Sequence, residues 1–260
     1  MNILTFYETV KVICSVIPSL RFWEWKIKER KSGMDKNTDT ELIYFNKTGF
    51  FQEKDAAINH LRDADEILTS AGVDYCLMFG TLLGLLRHGD FIPWDDDLDI
   101  IIFGIKKFEA RCIEKFEEKG YTVLQDIRRI SPFTMVPFLK LKTRCGYRIY
   151  AKNGNSIPGV SWKFPWLGVW EPVFKKKAMT LPPEKFVYDI EDFFPLQRKP
   201  FKEFSVMVPQ NPAKILNEYF GTDDWMEYCI PSTLDHRQYR PTGFPAVKTP
   251  LQAVMSYLDP

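Results

Sequence analysis

The nine residues from Asp95 to Phe103 constrain this chain most. Asp95-Asp96-Asp97-Leu98-Asp99 runs without a break into Ile100-Ile101-Ile102-Phe103. A cluster of carboxylates is thereby tied to a strongly apolar segment that reads as a buried strand from Leu98 to Phe103. Side chains alternate faces along a strand. Asp97, Asp99 and Ile101 therefore share one face, and Leu98, Ile100 and Ile102 the other. If extension starts at Asp95, three carboxylates meet at the strand's leading end, with Asp96 turned away toward solvent or a turn hydrogen bond.

The flanking sequence supplies partners for such a strand. Ala57, Ile58, Leu61, Ala64, Ile67 and Leu68 recur at helical spacing and predict a helix over 54–70, ended by Gly72. Val73 to Phe79 predicts a short buried strand. Gly80 and Thr81 predict a turn, Leu82 to Arg87 a helical turn, and His88-Gly89-Asp90 another turn. Phe108, Cys112, Ile113 and Phe116 form the apolar stripe of one helix over 106–119, capped by Gly120. Strands are expected at 121–124 and 138–142. The second half is rich in Pro, Trp and Phe, which predicts loops and short strands over a shared core. Pro212 to Phe220 predicts a helix with Asn211 as its N-cap. The expected class is α+β: a mixed sheet with flanking helices and a loop-rich C-terminal half.

Composition narrows the function classes. Of the 260 residues, 45% are apolar and 15% aromatic, enough for a substantial core. The formal net charge is +1, which gives no global attraction to nucleic acid. Cys14, Cys76, Cys112, Cys145 and Cys229 are scattered and contain no Cys-x-x-Cys pair. Neither a structural zinc site nor a disulfide framework is indicated. No P-loop, Gly-x-Ser-x-Gly elbow or His-Glu-x-x-His helix is present. Residues 1–20 are apolar but broken by Glu8, Lys11 and Pro18. They predict an amphipathic or loosely ordered N-terminal helix, with a degenerate membrane anchor as the alternative. Residues 22–40 read as a polar linker, and Asn46-Lys47-Thr48 is a lone glycosylation sequon. The compartment stays open between the cytoplasm and a Golgi-lumenal or membrane-associated position.

The carboxylates themselves point to a cation. Two like charges about 4 Å apart repel by roughly 4 kcal/mol at an effective dielectric near 20, and a hard divalent ion reverses that sign. Carboxylate oxygens suit Mg²⁺ or Mn²⁺. Such an ion would bind phosphate oxygens of a nucleotide-activated donor and neutralise the leaving phosphate. The Gly80-Thr81 turn would bring backbone N–H groups to a phosphate. An acidic run is more often plain solvated surface. Here the acids lead into a buried strand and follow a Gly-Thr turn, and both features argue against that.

The segment Phe79-Gly80-Thr81-Leu82-Leu83-Gly84-Leu85-Leu86-Arg87-His88-Gly89-Asp90-Phe91-Ile92-Pro93-Trp94-Asp95-Asp96-Asp97-Leu98-Asp99-Ile100 resembles the signature of the LicD/fukutin-related family. Weaker similarity continues through Phe194-Pro195-Leu196, Phe201 to Pro209, and Ile215 to Gly221 followed by Trp225. The resemblance implies a nucleotidyltransferase-like core occupying 41–260 behind an N-terminal segment of 1–40. It implies transfer of phosphocholine or a polyol phosphate from a CDP-linked alcohol donor to a hydroxyl of a glycan or glycoconjugate acceptor. By position, Asp95, Asp97 and Asp99 would be the metal-binding and catalytic acids, and Gly80 and Thr81 the phosphate-facing turn. Arg87 and His88 match the family's Arg-His pair, which either meets the donor or braces the acidic loop. The sequence departs from the family at Trp166-Leu167-Gly168-Val169-Trp170, where Gly168 stands in place of a further acid. Glu171 is the nearby carboxylate that would substitute for it as catalytic base or ligand.

Other candidates are weaker. Lys140, Lys142 and Arg144 share a strand face that either contacts donor phosphates or is simply solvated. Lys175-Lys176-Lys177 predicts a solvated turn. His236 and Arg237 would close over the site. Trp162, Trp166 and Trp170 are expected in the core, with a sugar platform as the sharper alternative. Two functions compete with phosphoalcohol transfer: nucleotidyl transfer from an NTP, and a catalytically degenerate protein that binds a glycan or nucleotide.

Overall fold

The computed structural model describes residues 50–95, 97–130, 141–156, 161–181, 187–229 and 248–258. The expectations for the N-terminal segment, the sequon, the 40/41 boundary, Asp96, Lys140, His236 and Arg237 lie outside the described residues, as do the side chains of Lys142 and Arg144. Helix α1 (Phe50–Ala71) buries Ala57, His60, Leu61, Ala64, Leu68 and Ala71 along one stripe. It begins earlier than its periodicity predicts and kinks at Glu53 (φ −136°, ψ 31°). Gly72 ends it at φ 66°, a left-handed conformation that glycine adopts without steric cost.

Strand β1 (Asp74–Leu77) follows, then helix α2 (Phe79–His88), strand β2 (Leu98–Phe103), helices α3 (Ile105–Arg111) and α4 (Ile113–Glu118), and strands β3 (Tyr121–Ile130), β4 (Leu141–Ser156) and β5 (Lys163–Trp170). Two expectations are corrected here. Gly80 and Thr81 are not a turn but lie in the first turn of α2, which starts abruptly at Phe79 with φ 51°. The single helix expected over 106–119 is two, separated at Cys112 (φ −111°, ψ −33°). Its buried residues, Phe108, Cys112 and Phe116, are nonetheless members of the expected stripe.

The five strands form a mixed sheet in the order β1-β2-β5-β4-β3. β2 is antiparallel to β1 and parallel to β5; β4 is antiparallel to both β5 and β3. β2 is flanked on both edges and buried from Leu98 to Ile102, which is why its sequence is apolar on both faces. Helix α1 packs against β1 and β5. Ile101 and Cys76 belong to a cluster with Met78, Phe79, Met179, Leu181, Tyr188, Phe193 and Ile215, drawn from the C-terminal half.

That half supplies short strands, as its composition predicts. β6 (Val173–Lys175), β7 (Ala178–Thr180) and β8 (Val187–Asp189) form a small antiparallel sheet, with Lys176 and Lys177 in the tight turn. A 3₁₀ turn over Ile190–Asp192 leads to the hairpin β9 (Gln197–Phe201) and β10 (Phe204–Val208). Helix α5 (Pro212–Phe220) has the predicted bounds. Asn211 sits at its N-terminus, but its side chain donates to Asp192 Oδ1 at 2.9 Å rather than capping the helix. β11 (Tyr228–Cys229) pairs with β12 (Thr249–Pro250), ahead of helix α6 (Leu251–Leu258). Among the described residues no helix is long and apolar enough to cross a membrane.

Candidate active site

The leading end of β2 opens onto a cavity of about 520 Å³. Asp95, Asp97 and Asp99 all line it, together with Gly80 and Arg87. The acids arrive there by two routes. Asp99 is on β2 itself. Asp95 and Asp97 precede the strand, which starts at Leu98 rather than at Asp95. A turn brings Asp95 round, its N–H donating to the Ile92 carbonyl at 3.0 Å. Its own carbonyl accepts Phe50 N–H at 2.9 Å, which ties the acidic loop to the start of α1.

Gly80 and Thr81 do different things. Gly80 lets the Asp95 carboxylate lie against the helix: a Cβ there would fall well inside contact distance of Asp95 Oδ2. Thr81 is buried (3% exposed) and is not among the cavity-lining residues. Its Oγ1 accepts the Asp99 N–H at 2.8 Å, and the Met78 N–H donates to the Asp99 carbonyl at 3.1 Å. The leading end of β2 is thus fixed from the β1–α2 junction.

Arg87 and His88 also separate. Arg87 lines the cavity from the last turn of α2. Its Nε donates to His88 Nε2 at 3.0 Å, its Nη1 donates to the Trp225 carbonyl at 3.2 Å, and its guanidinium lies 5.8 Å from the Trp94 ring centre. Burial lowers the Arg87 pKa, against the raising effect of Cys229 and Asp95, and an arginine keeps its charge under such shifts. His88 is outside the lining. Burial, and then the adjacent Arg87, push it down to about 4 while Asp90 pulls the other way, so it is a neutral acceptor at pH 7. Its ring meets Trp94 edge-on at 6.0 Å. In this arrangement His88 braces Arg87.

Glu171 is not brought to this cavity. The register sets Asp99 opposite Gly168 and Ile101 opposite Trp170 on the parallel strand. Glu171 follows Trp170, the last residue of β5, three positions beyond Gly168. Gly168 is the residue beside Asp99, and its backbone is crowded: an added Cβ would stand 2.6 Å from Asp99 Oδ1. The three tryptophans lie on or beside β5. Trp166 is buried, and Arg148 stacks over Trp162 at 3.8 Å and Trp166 at 4.5 Å.

The rest of the wall comes largely from residues whose sequence carries no catalytic pattern. Tyr219 and Phe220 end α5, and Thr222, Asp224, Trp225 and Tyr228 follow; Lys248 completes the wall. Lys248 is paired with Asp224 and lies 4.9 Å from the Tyr228 ring centre. Trp225 is held by its indole N–H to Asn217 Oδ1 at 2.6 Å. The available signal was the Tyr219-Phe220-Gly221 helix end followed by Trp225, which marks a structured loop without saying what it faces. Among the described residues no three His, Cys, Asp or Glu side chains close around a single point. The cavity wall does present three hard-oxygen donors. That set fits Mg²⁺ or Mn²⁺, which take one or two protein carboxylates and complete their shell with water and substrate phosphate.

Comparison with known proteins identifies the family. The chain is 31% identical over 171 residues to an uncharacterised protein of Rickettsia prowazekii, covering 65% of this chain and 55% of that protein. The chain thus spans about half the length of this relative. It is 57% identical over 37 residues to the human ribitol 5-phosphate transferase FKRP, covering 14% of this chain and 8% of that one. It is 57% identical over 28 residues to the lipopolysaccharide cholinephosphotransferase LicD of Haemophilus influenzae, covering 11% of each. The family profile described as LicD/FKTN/FKRP, nucleotidyltransferase domain, matches residues 72–211, more than half of the chain and the part that holds all three acids. The resemblance read from Phe79 to Ile100 is borne out: the chain belongs to the LicD/FKTN/FKRP family.

Proposed function

We propose that this chain is a metal-dependent phosphotransferase that moves a phosphorylated alcohol, phosphocholine or a polyol phosphate, from a CDP-linked donor to a glycan hydroxyl. The observation that carries the reading is the convergence of Asp95, Asp97 and Asp99 on one cavity that Gly80 and Arg87 also line. The names of the two characterised relatives support a phosphorylated-alcohol substrate. Asp95, Asp97 and Asp99 would hold Mg²⁺ or Mn²⁺, which when bound supplies charge neutralisation at the donor's diphosphate.

The chain's own residues account for the rest. Arg87 presents a fixed positive charge to the donor phosphates from the base of the cavity. The aromatic wall of Tyr219, Trp225 and Tyr228 narrows the cleft and limits water around the reacting phosphorus. The acceptor oxygen attacks that phosphorus in line, the bond to the CMP oxygen breaks, and the acceptor's proton passes to a cavity carboxylate. Glu171 lies outside the cavity lining. The test is a screen of CDP-alcohols with Mg²⁺ and Mn²⁺, scored for CMP release. Asp97→Asn is expected to abolish release while keeping the wild-type unfolding midpoint. Full turnover in that variant would refute the assignment, and pyrophosphate release from NTPs would favour nucleotidyl transfer.

One observation favours a second reading. No acid stands beside Asp99 on the neighbouring strand, where Gly168 is found. A site so reduced suits a glycan- or nucleotide-binding protein without turnover. Metal-dependent binding of a CDP-alcohol with no CMP release would select it.

A further inference from the structure

Trp170 reaches the site from the end of the neighbouring strand β5. It is not among the cavity-lining residues, yet its indole Nε1–H donates to Asp99 Oδ1 at 2.6 Å. Asp99 is 8% exposed. Its backbone is held at both ends by Thr81 Oγ1 and the Met78 N–H. A hydrogen bond to a buried carboxylate is charge-assisted and therefore short and orienting. The Trp170 ring is itself fixed, edge-on to Phe79 at 6.0 Å and 90°.

The strand register explains how the contact forms. Asp99 and Ile101 lie opposite Gly168 and Trp170 on parallel strands, so Gly168 and Trp170 share the sheet face that carries Asp99. The indole must pass over position 168 to reach the carboxylate. Only glycine leaves that space: a Cβ at 168 would stand 2.6 Å from Asp99 Oδ1 and 3.1 Å from Trp170 Nε1. The pair also places a neutral donor, rather than another negative charge, next to a cluster that already holds three carboxylates.

We propose that Trp170 is the positioning residue of this site, its indole N–H fixing the Asp99 carboxylate for cation binding, with Gly168 as the notch that admits the contact. The inference rests on the reading of Asp99 as a cation ligand. Partners that orient a ligand from outside the coordination shell govern affinity, and losing one costs roughly 10- to 100-fold.

The test is Mn²⁺ binding to the full chain, read from the EPR signal of free Mn²⁺, with each variant's thermal midpoint recorded without metal. Trp170→Phe keeps an aromatic ring and removes the N–H; its Mn²⁺ affinity is expected to fall roughly 10- to 100-fold. Gly168→Ala disturbs the same pair without removing a core ring, and a similar loss is expected, so the outcome does not depend on how well Trp170→Phe folds. The double variant is expected to lose no more than either single one, because the same interaction is removed twice. General loosening of the sheet would instead add. Asp99→Asn separates the two readings. If it abolishes binding while Trp170→Phe and Gly168→Ala bind Mn²⁺ as the wild type does, the positioning role is overturned and the ligand reading stands. If the wild type binds no Mn²⁺, or Asp99→Asn binds as well as the wild type, the ligand reading fails and this proposal fails with it.

Discussion

The backbone N–H of Asp99 donates to the Thr81 hydroxyl at 2.8 Å, which pins the leading end of β2 to the first turn of α2. Both residues are buried. Thr81→Val keeps the shape and removes the acceptor, leaving a buried N–H without its partner. The expected cost is about 1–3 kcal/mol of folding stability, read as a lower urea midpoint at unchanged slope, and Thr81→Ser should recover most of it. A threonine that served mainly to touch phosphate would behave differently. Thr81→Val would then raise the donor KM with little change in midpoint.

Gly80→Ala sets local propensity against site geometry. In a helix interior, alanine is favoured over glycine by about 1 kcal/mol. Here its Cβ would collide with Asp95 Oδ2. The expected outcome is a protein that folds with a near-native midpoint but loses Mn²⁺ affinity and CMP release, because Asp95 is displaced from the cavity wall. A Gly80→Ala variant with full activity would show that Asp95 need not stand where it does.

These two residues also show how far the sequence could be read. The strand Leu98–Phe103 and the helix Pro212–Phe220 were visible because each carries its own local pattern, an apolar run in one and a Pro-led periodic segment in the other. The place of Asp99 on the strand was visible for the same reason, but Asp95 and Asp97 precede the strand and reach the cavity through a turn that alternation does not describe. The helical state of Gly80 and Thr81 was not. Helix α2 starts at a positive-φ phenylalanine with no side-chain cap at Met78, so no N-terminal signal announces it. Glu171 stands near Gly168 in sequence, and proximity in sequence is all that marks it as a substitute acid. What decides its position is the pairing of β5 with β2, a contact between segments about seventy residues apart (Asp99 with Gly168). The same pairing brings the Trp170 indole to Asp99. The far wall of the cavity, from Tyr219 to Lys248, is likewise assembled only by tertiary packing.

His60 gives the fold an acid-sensitive point away from the site. It is 1% exposed, stacks on Tyr121 at 4.5 Å, and has neither ring nitrogen hydrogen-bonded. Burial pushes its pKa down to about 3, against a raising effect from Asp63. His88 is pushed down to about 4. A depressed histidine binds fewer protons folded than unfolded, so stability rises with pH across the gap. The contribution is complete above the unfolded value near 6.5. It is lost from there down to about 4 for both groups, and further to about 3 for His60. Urea unfolding at a series of pH values should therefore show stability falling below pH 6.5. His60→Leu should flatten that slope, and it should not weaken the protein at pH 7 by more than a volume-conserving core exchange does, under about 1.5 kcal/mol. An unchanged slope in His60→Leu would show that the ring is protonated equally in both states.

The charge and the shape of Arg87 can be separated by substitution. Its guanidinium makes three different contacts at once: Nε to His88 Nε2, Nη1 to the Trp225 carbonyl, and a face-on approach to Trp94. The second of these joins α2 to the loop around Trp225, which lines the same cavity. Lysine retains the positive charge but is a flexible point donor and cannot reproduce the planar fork. If Arg87 acts on donor phosphates by charge alone, Arg87→Lys should keep most of the donor affinity. The bonding pattern argues instead that it also holds the wall in place. Arg87→Lys is therefore expected to speed hydrogen exchange at Trp225 and its neighbours up to Cys229, and to raise the donor KM by about ten-fold, the loss of one charged-group hydrogen bond of 1.5–3 kcal/mol at its lower end. Exchange in that segment identical to the wild type, with KM unchanged, would reduce Arg87 to a source of charge.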